Sequence, residues 1–356
     1  MKILFVSGVY IPASGGAEHS MHTLLQELKK AGHAVHVLSG LSPFAKEKKG
    51  IIDSIPIERV VENEMEQALE KMIDEINPDY IFTQLMWSER VLVVGRKLGK
   101  KTILFVRSVG SELILDSSNY PYFIVANSPT TAKFVEDRWQ IKPIIVFPII
   151  YLDRYIVQES DIEGMYITMF NPIKEKGGEI FYQIAERMPD RSFLAVEGWH
   201  HWKNPKTGSW DLERLTSNSK AFGGDLRVPA EVDLSDLKNV TYQKAVNDVR
   251  PIYSKTRLLL VPSVWEESYP RVALEAKVNG IPVIGSNTGS LAKAIGSGGV
   301  AIGKVTDIDS WVEAIEKFDD ESYYSMVSHE AKRSVAQYDP RSLIQDLVEV
   351  LHKGME

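Results

Sequence analysis

Two glutamates, Glu267 and Glu275, stand with seven residues between them in the stretch EESYPRVALE, residues 266–275. The flanking runs LLLVPS and KVNGIPVIGSN read as buried strands, so both carboxylates are expected at the end of a sheet. At the carboxyl end of a parallel strand, where open α/β sheets take their ligands, such a pair can accept charge-assisted hydrogen bonds from sugar or ribose hydroxyls. The competing account has Glu267 helping to cap a helix that begins near Pro270, with Glu275 solvated. A second candidate is PASGGAEHS, residues 12–20. Gly15 and Gly16 let the backbone approach a ligand, and the helix that follows offers free N–H groups to a phosphate. An ordinary strand-to-helix turn accounts for the same residues, and the spacing fits neither GxGxxG nor GxxxxGK[ST].

Other chemistry-bearing residues have simpler explanations. Asp307 and Asp309 have the DxD form of a metal site, but Ser310 and Glu313 ahead of an apolar helix suggest a capping box. His19 and His22 are expected as a surface pair in the first turns of a helix. The run WHHW, beginning with Trp199 and His200, offers aromatic faces suited to carbohydrate stacking or to packing on the domain surface.

The elements that must hold these residues alternate. A strand over 2–8 leads through the glycine loop to a helix over 17–32, where Met21, Leu24, Leu25 and Leu28 keep helical spacing, and then to a strand over 33–40. The alternation continues with helices over 65–76, 88–99 and 130–139 and strands over 79–85, 101–106, 122–128 and 143–148. It restarts with a strand over 165–172 and runs to a strand over 298–303, with the two glutamates between a strand over 257–263 and one over 281–287. This is the pattern of a doubly wound parallel sheet made twice. The expected domains are 1–155 and 156–337, hinged near 150–160, with a C-terminal helix over 338–356 packing back on the first. Residues 199–236 form a long polar interruption, uncommon unless functional or disordered.

Composition narrows the classes. A chain of 356 residues exceeds the ~250–300 at which one core usually splits. The 41 basic and 48 acidic residues give a net charge of −7, which argues against a broad nucleic-acid footprint. The cluster Arg90, Arg96, Lys97, Lys100, Lys101 and Arg107 reads as a solvated helix end. There is no cysteine, hence no disulfide, thiol nucleophile or usual zinc site. No run reaches the ~18–20 apolar residues of a membrane span, so a cytoplasmic protein with at most peripheral membrane contact is expected.

Residues 261–287, VPSVWEESYPRVALEAKVNGIPVIGSN, resemble the E-x7-E signature of GT4-type glycosyltransferases, the glycosyl transferases group 1. Pro262, Ser263, Glu267, Glu275, Ala276, Gly280, Pro282 and Val283 fall in register. Gly15, Gly16, Ala17 and Glu18 match the family's Gly-Gly-Ala-Glu opening, and Lys176 and Gly177 match its Lys-Gly. The resemblance implies the α/β GT-B fold of two facing Rossmann-like doubly wound domains. It implies retaining transfer of a sugar from a nucleotide-diphosphate donor, a UDP- or GDP-sugar, to a carbohydrate, lipid-linked or small-molecule acceptor, without cofactor or metal. A nucleotide-sugar epimerase or a non-catalytic sugar-binding protein would share the fold. Glu275 would hold the ribose and Glu267 the donor sugar. Lys176 would neutralise the diphosphate, aided by the amides of Gly15 and Gly16, with the helix from Pro270 aimed at the phosphates and Ser268, Tyr269 and Arg271 on the donor side. Asn171 stands where the family commonly has arginine. Arg107 and Ser108 stand in a region where it often has histidine, which places them, with Trp199 and His200, as acceptor-side candidates.

Overall fold

The computed structural model describes residues 1–355 apart from 13, 14, 43, 44, 112, 199–236, 247, 337 and 339. The chain divides into two compact units, Met1–Ile150 with Asp339–Glu356, and a second running from Tyr151 to Tyr338. Each is a sheet with helices.

In the first unit eight strands are ordered β3-β4-β2-β1-β5-β6-β7-β8. They are β1 (Lys2–Ser7), β2 (Ala34–Gly40), β3 (Lys49–Ile52), β4 (Ile55–Val60), β5 (Tyr80–Gln84), β6 (Lys101–Val106), β7 (Phe123–Ala126) and β8 (Ile144–Ile145). All pair in parallel except β3 with β4. The apolar stripe of α1 (Gly16–Lys30) is buried at Met21, Leu24, Leu25 and Leu28, as its spacing requires. Helices α2 (Met65–Ile76), α3 (Ser88–Lys97) and α4 (Pro129–Trp139) follow their expected positions within a residue or two. The C-terminal helix α11 (Pro340–Lys353) buries Ile344, Leu347 and Leu351 in this unit's core, where Tyr80 donates its hydroxyl to the Leu351 carbonyl at 2.6 Å.

Two features of this unit depart from expectation. The β3–β4 hairpin escapes a periodicity reading because its two-residue turn is Asp53-Ser54, both left-handed (φ 47° and 65°), with no glycine, and because Pro56 interrupts the strand. His22 is not at the surface. It is 5% exposed, with Tyr10 at 2.6 Å on Nδ1 and Asp53 at 2.9 Å on Nε2. The basic cluster is largely paired: Arg90 with Glu66 at 2.7 Å and Lys97 with Glu70 at 3.1 Å.

The second unit orders its strands β11-β10-β9-β12-β13-β14, all parallel. They are β9 (Tyr166–Phe170), β10 (Phe193–Val196), β11 (Val240–Gln243), β12 (Thr256–Val261), β13 (Val283–Ser286) and β14 (Gly299–Ile302). Around them lie α5 (Gly178–Arg187), α6 (Arg250–Lys255), α7 (Arg271–Lys277), α8 (Leu291–Ile295), α9 (Ile308–Glu316) and α10 (Glu321–Ser334). Helix α9 starts earlier than a Ser310 cap allows. Asp307 is its N-cap residue and accepts from the Ser310 hydroxyl at 2.8 Å, while Asp309 pairs with Arg187 at 2.7 Å. Among the described residues no group of three or more His, Asp or Glu could hold a metal, and no helix is long and apolar enough to cross a membrane.

Lys277, only 2% exposed, donates to the carbonyls of Ala294 and Ile295 at 2.7 and 3.0 Å, and so satisfies the end of α8. Burial pushes its ammonium down from 10.5 to about 8. Between those values the unfolded chain holds a proton that the folded one has shed, so stability rises with pH there, by about 3 kcal/mol at most. Below about pH 8 the full burden of the buried charge is present. Urea unfolding of wild type and Lys277→Met from pH 7 to 10.5 should show the difference moving in favour of the wild type above pH 8 by that order. A pH-independent difference would refute the assignment.

Candidate functional site

Strands β9 and β12 are neighbours, so the loops that leave their carboxyl ends lie side by side. Gly177 makes the approach possible. Its φ is +83°, and a Cβ there would meet the Pro262 carbonyl oxygen at 1.9 Å. The Val264 N–H donates to the Glu175 carbonyl at 3.1 Å, tying the second loop to the first.

That contact brings Lys176 to Glu267 across 91 residues of chain, Nζ to Oε1 at 2.5 Å. Ser263 Oγ at 2.5 Å and Trp265 Nε1 at 3.0 Å also donate to Oε1, and the ammonium sits 4.5 Å from the centroid of the Trp265 ring. The Glu267 side chain is 7% exposed and that of Lys176 19%. Burial, the largest influence, works against the Glu267 charge; Lys176, Ser263 and Trp265 together overcome it and hold the carboxyl below its ordinary value. Glu267 does not cap α7. Its backbone carbonyl accepts from the Ser290 N–H at 2.7 Å, while Pro270 is the N-cap residue of that seven-residue helix.

Glu275 is buried, not solvated. Tyr253 donates its hydroxyl to Oε2 at 2.9 Å, and Arg271 Nε approaches Oε1 at 3.4 Å. Arg271 also donates to the Tyr155 hydroxyl at 2.9 Å. Burial, then the Glu275 charge, raises the phenols of Tyr155 and Tyr253, which stay protonated donors. Neither tyrosine stands out in the sequence, because a tyrosine in an apolar run reads as core.

The other expected residues fall in varied settings. Asn171, 8% exposed and left-handed (φ 57°), has no hydrogen-bond partner for its side-chain nitrogen. Ser268 is half-buried beside Glu267, whereas Tyr269 is buried with its hydroxyl bonded to that of Tyr338. In the first unit the space a Cβ would need at Gly15 is filled by the Glu18 carboxylate, so a phosphate at those amides would meet a negative charge already there. Arg107 donates to Gln84 at 2.8 Å and, like its half-buried neighbour Ser108, follows β6. Trp199 and His200 lie outside the described residues.

Residues 231–334 match the family described as Glycosyl transferases group 1. The fold is that of sucrose-phosphate synthase from Thermosynechococcus elongatus, at 16% identity, TM-score 0.74, covering 99% of this chain and 98% of that one. It is equally that of a glycosyltransferase from Rickettsia africae, at 15%, 0.76, 100% and 98%. HepE from Anabaena, in complex with UDP and glucose, is similar at 16%, 0.74, 99% and 100%. The chain has the GT-B fold, and the part of its second unit over 231–334 matches the glycosyl transferases group 1 family. No curated protein matches the sequence.

The ion pair between Lys176 and Glu267 yields a stability test. Removing Lys176 leaves Glu267 buried without its counter-charge, which costs about 3 kcal/mol. Because the folded carboxyl is held low, its contribution is present above the ordinary carboxylate range and is lost as pH falls through the folded value. Lys176→Met should therefore melt earlier than wild type at pH 7, and the gap between the two should close as pH falls through the carboxylate range. The double variant with Glu267→Gln should recover most of the loss. Melting curves from pH 3 to 8 would show both effects, and an additive double variant would argue against the pairing.

Proposed function

We propose that the protein is a retaining, metal-independent glycosyltransferase of the GT4 type, moving a sugar from a nucleoside diphosphate donor to a hydroxyl of a carbohydrate, lipid-linked or small-molecule acceptor. The observation that carries this reading is the pairing of Lys176 with the buried Glu267 where the loops after β9 and β12 meet, with a second buried and oriented carboxylate, Glu275, on the helix that follows β12. Glu275, fixed through both oxygens, is the acceptor of hydrogen bonds from the ribose hydroxyls. Glu267 receives a hydroxyl of the donor sugar, and Lys176 meets the diphosphate.

In the reaction the bond from the sugar C1 to the β-phosphate oxygen breaks and the diphosphate keeps the electron pair. The acceptor hydroxyl bonds to C1 on the same face and passes its proton to the departing phosphate. Lys176 stabilises the charge that develops on that leaving group, so the protein acts by positioning and electrostatics. Asn171, in place of an arginine, adds a neutral donor rather than a second positive charge. Arg107 and Ser108 are assigned to the acceptor. HepE is found in complex with UDP and with UDP-glucose, which favours a uridine nucleotide as the first probe. The cytoplasm, with at most peripheral membrane contact, is the location this donor chemistry favours.

Thermal-shift measurements with UDP, GDP, ADP, TDP and their sugar conjugates, without metal, test the reading on wild type, Glu275→Gln and Glu275→Ala. One base at saturating concentration should stabilise the wild type by several degrees, since a ligand at 100 times its Kd contributes about 2.7 kcal/mol. Both variants should lose that shift. No stabilisation by any member of the panel overturns the proposal. Stabilisation without release of nucleoside diphosphate in the presence of sugar acceptors points instead to a binding protein.

A further inference from the structure

Trp265 stands half-buried in the strand-to-helix loop between an exposed Val264 and an exposed Glu266. Its two faces of chemistry are both engaged with charged groups: the ring lies under the Lys176 ammonium at 4.5 Å, and the indole N–H donates to Glu267 Oε1 at 3.0 Å. The loop is anchored on either side of it, by the Val264 N–H on the Glu175 carbonyl and by the Ser263 hydroxyl on Glu267.

With no donor bound, the Lys176 charge is balanced by Glu267. A diphosphate can use that charge only by drawing the ammonium away from the carboxylate. Without further support the opening would leave Glu267 buried, ionised and short of donors, and would leave a flexible lysine unplaced. We propose that Trp265 is a positioning residue for glycosyl transfer: its indole N–H keeps Glu267 ionised and aimed while its ring keeps the Lys176 ammonium in reach of the phosphates. This rests on the glycosyltransferase reading of the site. The ring is the seat on which Lys176 changes partners, from carboxylate to diphosphate, and Ser263 with the indole N–H remain on Glu267 to hold it for a donor-sugar hydroxyl.

Two variants separate the two functions. Trp265→Phe keeps an aromatic face and removes the N–H; Trp265→Leu removes both. In the ligand-free protein, the Glu267 carboxyl carbon, assigned by its loss in Glu267→Gln, should titrate about one pH unit higher in Trp265→Phe than in wild type, because a donor to the charged form is gone. Calorimetric binding of UDP and UDP-glucose, or of the base selected by the panel above, reads the second function. Trp265→Phe should bind UDP at pH 8 within about twofold of wild type and lose UDP-glucose affinity at a higher pH than wild type as the solution is acidified. Trp265→Leu should lose about tenfold in UDP affinity even at pH 8. An unshifted Glu267 titration in Trp265→Phe, or equal UDP affinities in the two variants, overturns the proposal. A wild type that binds no nucleotide defeats the glycosyltransferase reading, and the ligand-free titration then still decides whether the indole N–H holds Glu267.

Discussion

The close packing of Gly177 against the Pro262 carbonyl is the constraint on which the site depends. Parallel pairing of β9 with β12 puts the two loops on the same edge, but adjacency alone leaves side chains of two loops several ångströms apart. A residue with no side chain and a left-handed backbone closes that gap. The Lys176 ammonium then reaches a carboxylate that the second loop has turned inward, and the desolvation of both is offset by one another and by Ser263 and Trp265.

The same logic explains why the second carboxylate is built differently. Among the described residues Glu275 has no ion pair with a lysine. Arg271, one helical turn back, approaches it at 3.4 Å, and the stronger restraint is the Tyr253 hydroxyl. A carboxylate held by a phenol and a longer guanidinium contact keeps its orientation while leaving its lone pairs less committed than those of Glu267 Oε1, which already takes three donors. That division suits one group for receiving a diol and the other for an interaction that must first be opened.

Much of this was legible in the sequence, for reasons that differ by element. The alternation of strand and helix was readable because buried parallel strands are nearly continuous apolar runs, and α2, with buried Met65, Leu69, Met72 and Ile73, shows its period plainly. The hairpin over 49–60 was not, since its turn and its Pro56 run against the usual signals. The E-x7-E spacing located both carboxylates, but not their partners. Lys176, Tyr253 and Trp265 meet them only through strand order, turn geometry and burial, none of which is a local property of the chain. The capping reading of Ser310 and the surface reading of His22 failed similarly: a local pattern was right about the presence of polar residues, but it set the cap at Ser310 where Asp307 holds it and was silent about the hairpin residue Asp53 that engages His22.

A helix of seven residues has little dipole to aim at a phosphate, and α7 begins with a proline that offers no N–H at its cap. Its usefulness therefore lies in where it is held. Arg271 and Asn279 bind Tyr155, and Asn279 also accepts from the Val157 N–H at 2.8 Å, so the start of the second unit is fastened along one side. Tyr269, just before the helix, is bonded to Tyr338, at that unit's end. Lys277 reaches through the core to α8. The short helix carrying Glu275 is thus fixed by side chains from the two places where the chain enters and leaves the second unit, and any strain on those segments is transmitted to the carboxylate through hydrogen bonds rather than through the helix itself.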